Sequence, residues 1–194
     1  MTARLDQQVA FLNEADKLKS VLRVTTLGDG SRRENSAEHS WHLALYAMVL
    51  ADQAGPDVDI GRVILMLILH DVVEIDAGDT PVYGTFDPAE VAAREQAAAT
   101  RIFGLLPADQ AAAFRAIWDE FEAAQTPTAQ FAKSLDRFQP PMQNLMSGGG
   151  SWISYGVSQD QIAAKVGAKI AIGAPGLWDF ARTKIAAFFA KHIA

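Results

Sequence analysis

In the stretch "VILMLILHDVVEIDAGDT", Val63 to Thr80, seven apolar residues lead into His70 and Asp71, and Glu74 follows three residues later. A buried, unpaired charge costs several kcal/mol, on the order of the net stability of a domain. Titratable groups in so apolar a segment need compensation, and a bound cation is one form of it. On a helix His70 and Glu74 stand four apart, and Asp71 and Glu74 three apart, which clusters them on one side. Adjacent His70 and Asp71 point about 100° apart. Both reach one cation only if it lies near the helix edge and other helices complete its shell. An octahedral divalent ion takes such mixed nitrogen and oxygen donors. The structural alternative is a satisfied core histidine beside a hydrogen-bonded acid, and the dipeptide alone does not separate the two.

A second segment, "NSAEHSWHLALY", adds His39 about one turn inside a cap at Asn35 or Ser36, with His42 three residues on. Glu38 and Ser40 read as capping and solvated positions. His42 falls about 300° around the helix from His39 and stays outside the set. The remaining histidine, His192, stands at the C-terminus. A fourth ligand calls for an acid in another apolar helix. Asp136 in "FAKSLDRF" has Phe131, Leu135 and Phe138 around it. Its alternative is a solvated aspartate beside Lys133 and Arg137.

The elements that must hold these groups read as helices. Leu5–Val21 carries Val9, Leu12, Ala15 and Leu18 at helical spacing, and "TTLGDGSRRENS" reads as a loop. The helix of His39 stops at Gly55-Pro56. Asp59 caps the next, which runs to Gly78 and is apolar nearly all round, as at the centre of a helical domain. Three more helices follow, the last bent or interrupted at Pro140-Pro141, then a flexible "SGGGSWISYGVS". Two helices close the chain around the breaker Gly173-Ala174-Pro175-Gly176. No segment alternates with period two, so the expected class is all-α. The four tryptophans, at 41, 118, 152 and 178, read as core or docking residues.

At 194 residues the chain is expected to be one domain, 1–194, able to bury a core without disulfides. The net charge of −6 argues against a nucleic-acid groove. With no cysteine, thiolate metal sites and cysteine nucleophiles are excluded. The charged start lacks a signal peptide's apolar run, and Val63–Leu69 falls far short of the ~20 residues that span a bilayer. A soluble cytoplasmic protein without membrane partners is expected.

His39, His70-Asp71 and Asp136, in that order, resemble the H…HD…D pattern of the HD-domain metal-dependent phosphohydrolases. "RRENSAEHS", "LILHDVVEIDAGDTP" and "FAKSLDRFQ" look like the matching segments of its 5′-deoxynucleotidase branch, over about residues 18–146. "NLMSGGGSW" and "GAPGLW" look like a bacterial subgroup of HD-family hydrolases. The resemblance implies one divalent ion (Mn, Co, Fe, Ni, Zn or Mg) held by His39, His70, Asp71 and Asp136. It gives Glu74 the task of positioning or deprotonating a water, with Asp79 as a further acid or orienting group. Arg23 would reach the phosphate, followed by Val24 where enzymes of known deoxy preference tend to carry a tryptophan. Arg32 would contact phosphate or form a surface salt bridge. Gly148–Gly150 would offer amides to a phosphate or serve only as a connection. The implied activity is removal of phosphate from a small phosphate ester, foremost a nucleoside 5′-monophosphate. The rivals are hydrolysis of a cyclic nucleotide, a nucleoside triphosphate or an alarmone, and a metal- or nucleotide-binding regulatory module without turnover. Glu74 and Asp79, which metal binding alone would not require, argue against that module. The C-terminal helices, 159–192, would pack on the core or build a homodimer interface.

Overall fold

The computed structural model describes residues 2–192. Helices α1 (Thr2–Ala15), α2 (Ser36–Val49), α3 (Ile60–Leu69), α4 (Glu74–Ala77), α5 (Pro88–Phe103), α6 (Ala108–Ala123) and α7 (Pro127–Met146) are followed by α8 (Gly150–Ser154), α9 (Gln159–Ile162), α10 (Ala168–Gly173) and α11 (Pro175–His192). The all-α class holds, with one small exception. Strands β1 (Leu22–Thr26) and β2 (Arg33–Asn35) form an antiparallel ribbon; β1 runs into the stretch expected to be a loop and β2 lies within it. The β-branched run Val24-Thr25-Thr26 suits a strand, and Gly30, at φ 71°, makes the turn. The first helix also ends early, at Ala15, and a 3₁₀ turn over Asp16–Ser20 completes it.

The ribbon leads into α2 through a capping box. The Asn35 side chain accepts from the Glu38 amide, while the Glu38 carboxylate accepts from the Asn35 amide. Asp59 caps α3 by accepting from the Arg62 amide. The expected single helix to Gly78 is interrupted by a 3₁₀ segment, His70–Val73. The Trp118 indole on α6 donates to the His70 carbonyl at 3.1 Å. The Glu74 amide, which would otherwise take that carbonyl, bonds to Asp71 O instead. A tryptophan from another helix thus tightens the turn that carries His70 and Asp71.

α2, α3 and α7 pack together around Leu43, Ala47, Met66, Leu67, Phe131 and Leu135, all essentially inaccessible. α7 is not broken at Pro140-Pro141; it runs on to Met146 although two amide donors are missing. The glycine-rich segment after it is ordered, not a flexible loop. Gly148, Gly149 and Gly150 take φ of 72°, 111° and 39°, and α8 follows with Trp152 buried. Asn144 fixes that corner, accepting from the Ser151 amide at 3.0 Å. α11 buries Leu177, Ala181, Ile185 and Phe188 within the chain. α3 is less enclosed than its composition suggests: Leu65 and Ile68 are about half exposed, as is Trp41 on α2.

Candidate metal centre

Three elements bring the acids and imidazoles together. His39 comes from the first turns of α2, His70 and Asp71 from the 3₁₀ turn, and Asp136 from the middle of α7; all four are buried. His70 Nδ1 donates to the Leu67 carbonyl at 2.9 Å, so in the neutral ring Nε2 carries the lone pair. That Nε2 is buried without a hydrogen bond, 3.0 Å from Asp71 Oδ1 and 3.7 Å from Asp136 Oδ1. His39 Nε2 lies 3.0 Å from the same Asp136 oxygen. One ligand atom each from His39, His70 and Asp136 fall within 4.8 Å of one another. An orphaned imidazole nitrogen facing two carboxylates is a donor set that fits a divalent cation.

The electrostatics agree. Burial opposes a charge on His70, but Asp71 and Asp136 outweigh it and raise its pKa to about 10. Burial pushes Asp71 and Asp136 up, yet the neighbouring cationic groups hold both below the usual carboxylate range. The field that retains a proton on His70 is one a divalent ion would satisfy better.

Glu74 follows one turn after Asp71, and in 3₁₀ geometry residues three apart eclipse. Burial and the Asp71 charge push Glu74 up to about 8, while Ser36 Oγ donates to its Oε2 at 2.5 Å. Burial likewise raises Asp79. Arg23, reaching in from β1, joins these acids. Its Nη1 is 2.7 Å from Asp71 Oδ2, 3.7 Å from Asp79 and 3.8 Å from Glu74. Arg32 is not brought to the cluster. Its exposed guanidinium forks onto Glu38 at 2.6 and 2.9 Å. His42 also stays apart, beside Tyr46 and the Gln139 amide.

Sequence reasoning missed Glu34. This buried glutamate accepts from Gln139 and Gln143 of α7 at 2.9 and 2.8 Å, and its Oε2 stands 3.3 Å from His39 Nδ1. A carboxylate on the far nitrogen fixes a ligand imidazole's tautomer and orientation. The one available signal was an acid five residues before His39, in a segment read as loop.

The cluster opens into a cavity of about 820 Å³, which Arg23, Val24, Glu74 and Asp79 also line, with aromatic walls from Tyr83, Phe86 and Trp152. Charged groups at the candidate ligand cluster and apolar rings elsewhere suit an amphipathic anion. Among the described residues no helix is long and apolar enough to cross a membrane.

Comparison with known proteins points the same way. A model of the HD domain family matches residues 15–178. The 5′-deoxynucleotidase HDDC2 of Homo sapiens is 28% identical over 134 residues, 69% of this chain and 64% of its own length. The chain therefore spans just under two thirds of that relative. The 5′-deoxynucleotidase hdd1 of Schizosaccharomyces pombe is 28% identical over 136 residues, 68% of this chain and 67% of its own. A crystal structure from Magnetospirillum magnetotacticum MS-1, described as a predicted metal-dependent phosphohydrolase, is 46% identical with a TM-score of 0.90, covering 97% of this chain and 96% of that one.

Proposed function

The chain belongs to the HD domain family, and from that premise we propose that it is a metal-dependent hydrolase of a small phosphate ester, most favoured among them a nucleoside 5′-monophosphate. The observation that carries this is the buried Nε2 of His70, which makes no hydrogen bond yet faces Asp71 and Asp136, at a cavity that also holds Glu74. A divalent cation on His39, His70, Asp71 and Asp136 would supply Lewis acidity toward a phosphate oxygen and lower the pKa of a bound water. Metal identity within the Mn, Co, Fe, Ni, Zn and Mg group is left to experiment.

Glu74 is the base in this reading. Burial and the Asp71 charge raise the proton affinity of Glu74 above that of an ordinary glutamate, which suits a group that takes a proton from water. Ser36, donating to Oε2, keeps the other oxygen free for that task. Arg23 offsets the acids around the phosphate position and offers a guanidinium to its oxygens. Asp79 stands 3.7 Å from the same Arg23 nitrogen and helps to hold the guanidinium in place. Val24, next along β1, lines the same cavity where the sugar would lie.

The finer points of this reading are one HD domain over 1–194 and a homodimer. The apolar stripe Trp41, Leu45 and Met48 left exposed on α2 supports the latter, and light scattering at micromolar concentration tests it. For the activity, the experiment is phosphate release from dAMP, AMP, dUMP and UMP across a panel of divalent ions. Metal-dependent release is expected. Tight nucleotide binding with no release under any ion would replace the enzyme with a regulatory module.

A further inference from the structure

Glu34 on β2 is buried, yet it is not among the residues that line the cavity. The ribbon sets it beside Arg23: Leu22 pairs with Asn35, and Arg23 follows the one as Glu34 precedes the other. Its two oxygens differ. Oε1 accepts from Gln139 and Gln143, which fixes the carboxylate's orientation. Oε2 is buried with no hydrogen bond. Two nitrogens, each also buried without one, stand close to it: His39 Nδ1 at 3.3 Å and Arg23 Nε at 3.7 Å. A buried polar atom that makes no hydrogen bond is costly and calls for an explanation.

The far ends of these two side chains serve different tasks. His39 Nε2 is 3.0 Å from Asp136 in the candidate ligand cluster, whereas Arg23 lines the cavity with Nη1 2.7 Å from Asp71. An imidazole that gives Nε2 to an ion keeps its proton on Nδ1 and becomes a donor there. Arg23 Nε is always a donor. One acceptor oxygen therefore stands near both, too far for a formed bond to either and close enough for a small shift to make one. A carboxylate so near an anion site also has a cost, because its charge repels a phosphate. Orientation of Arg23 has to outweigh that repulsion if Glu34 is to help the anion bind.

We propose that Glu34 is a positioning residue shared by both halves of the site, its Oε2 orienting His39 for the ion and Arg23 for the phosphate. The inference rests on the proposed ion and phosphate positions. It goes beyond them by giving the phosphate arginine a partner that touches neither ligand.

Glu34→Gln tests it, since the amide keeps the shape and can still accept from Gln139 and Gln143 while presenting a donor to His39 and Arg23. The readout is calorimetric titration with Mn²⁺, then with methylphosphonate at saturating Mn²⁺; that anion has the shape of phosphate and no ester to cleave. Glu34→Gln should weaken Mn²⁺ binding and also weaken methylphosphonate by about threefold to tenfold, the worth of one hydrogen bond. Loss of a negative charge alone would tighten the anion instead. In an Arg23→Lys background, which keeps the charge and lacks Nε, adding Glu34→Gln should leave methylphosphonate affinity within about twofold and still weaken Mn²⁺. Unchanged or tighter methylphosphonate binding in Glu34→Gln, or an equal loss in both backgrounds, overturns the shared role. Phosphate release from dAMP by the wild type is read in parallel. The expected binding pattern without release removes the hydrolase reading and upholds the shared role, whereas release with unmoved methylphosphonate affinity removes the shared role alone.

Discussion

His70 is held at one ring nitrogen, which is committed to the Leu67 carbonyl, while the other faces two carboxylates without a hydrogen bond of its own. Removal of Glu74 should separate binding from chemistry. Glu74→Ala is expected to retain metal, lower kcat by about 10²–10⁴-fold and leave KM nearly unchanged, since a positioned base acts as the transition state forms. Normal turnover by that variant would make Glu74 structural. Glu34→Ala should weaken metal affinity by about 10–100-fold through loss of the His39 partner, whereas His42→Ala should leave metal stoichiometry as it was; metal titration of both variants checks this pair. Stability of the metal-free protein should depend on pH with a definite sign. Glu74 sits at about 8, above its ordinary 4.5, so its contribution is present in acid and lost as pH climbs through that interval. His70, raised from 6.5 to about 10, behaves likewise over its higher window. Asp71 and Asp136, held low, lose theirs only in strong acid. Urea midpoints should thus fall between about pH 6 and pH 9, and bound metal should flatten the fall by taking the proton's place. At this scale the sequence was informative where an expensive group sat in an apolar run, as with His70 and Asp136. Glu34 was hidden because its burial comes from two glutamines of α7, more than a hundred residues away.

The elements show which local signals survive packing. Asp59 and Asn35 cap the helices their spacing indicated. The 3₁₀ turn at His70 was illegible, because its cause is the Trp118 indole arriving from α6. The prolines at 140 and 141 misled in the other direction: they remove two donors, and the packing of α7 against α3, α2 and α10 keeps the helix continuous regardless. α10 approaches α7 so closely that a Cβ on Gly173 would lie 2.4 Å from the Gln130 carbonyl carbon. Gly173→Ala should therefore cost about 1–3 kcal/mol, read as a lower denaturant midpoint. A retained midpoint would mean that the two helices separate easily. Ala124 closes α6 at φ 47°, a conformation that favours glycine. Ala124→Gly is expected to stabilise by about 0.5–1 kcal/mol, the left-handed penalty less the added chain entropy.

Over the whole molecule the helical periodicity foretold the class, and residues from the three motifs meet in one buried cluster. The cavity was not foretold, since its walls come from α5, α7, α8 and α10 together and no one segment announces them. Its shape bears on the sugar. Val24 is small beside an indole, and discrimination by shape is worth about 1–3 kcal/mol even in a tight pocket. Preference for deoxy- over ribonucleotides should thus stay under about tenfold in kcat/KM, rising in Val24→Trp; several hundredfold in the wild type, from paired dAMP and AMP kinetics, would place another residue against the 2′ position. The central claim is that buried ligands from α2, the 3₁₀ turn and α7 hold the ion on which hydrolysis depends. Its most direct test is metal content by mass spectrometry alongside phosphate release from dAMP, for wild type and Asp71→Ala. The account predicts retained divalent metal and release in the wild type, with both lost in the variant; full metal occupancy and undiminished release in Asp71→Ala would contradict it.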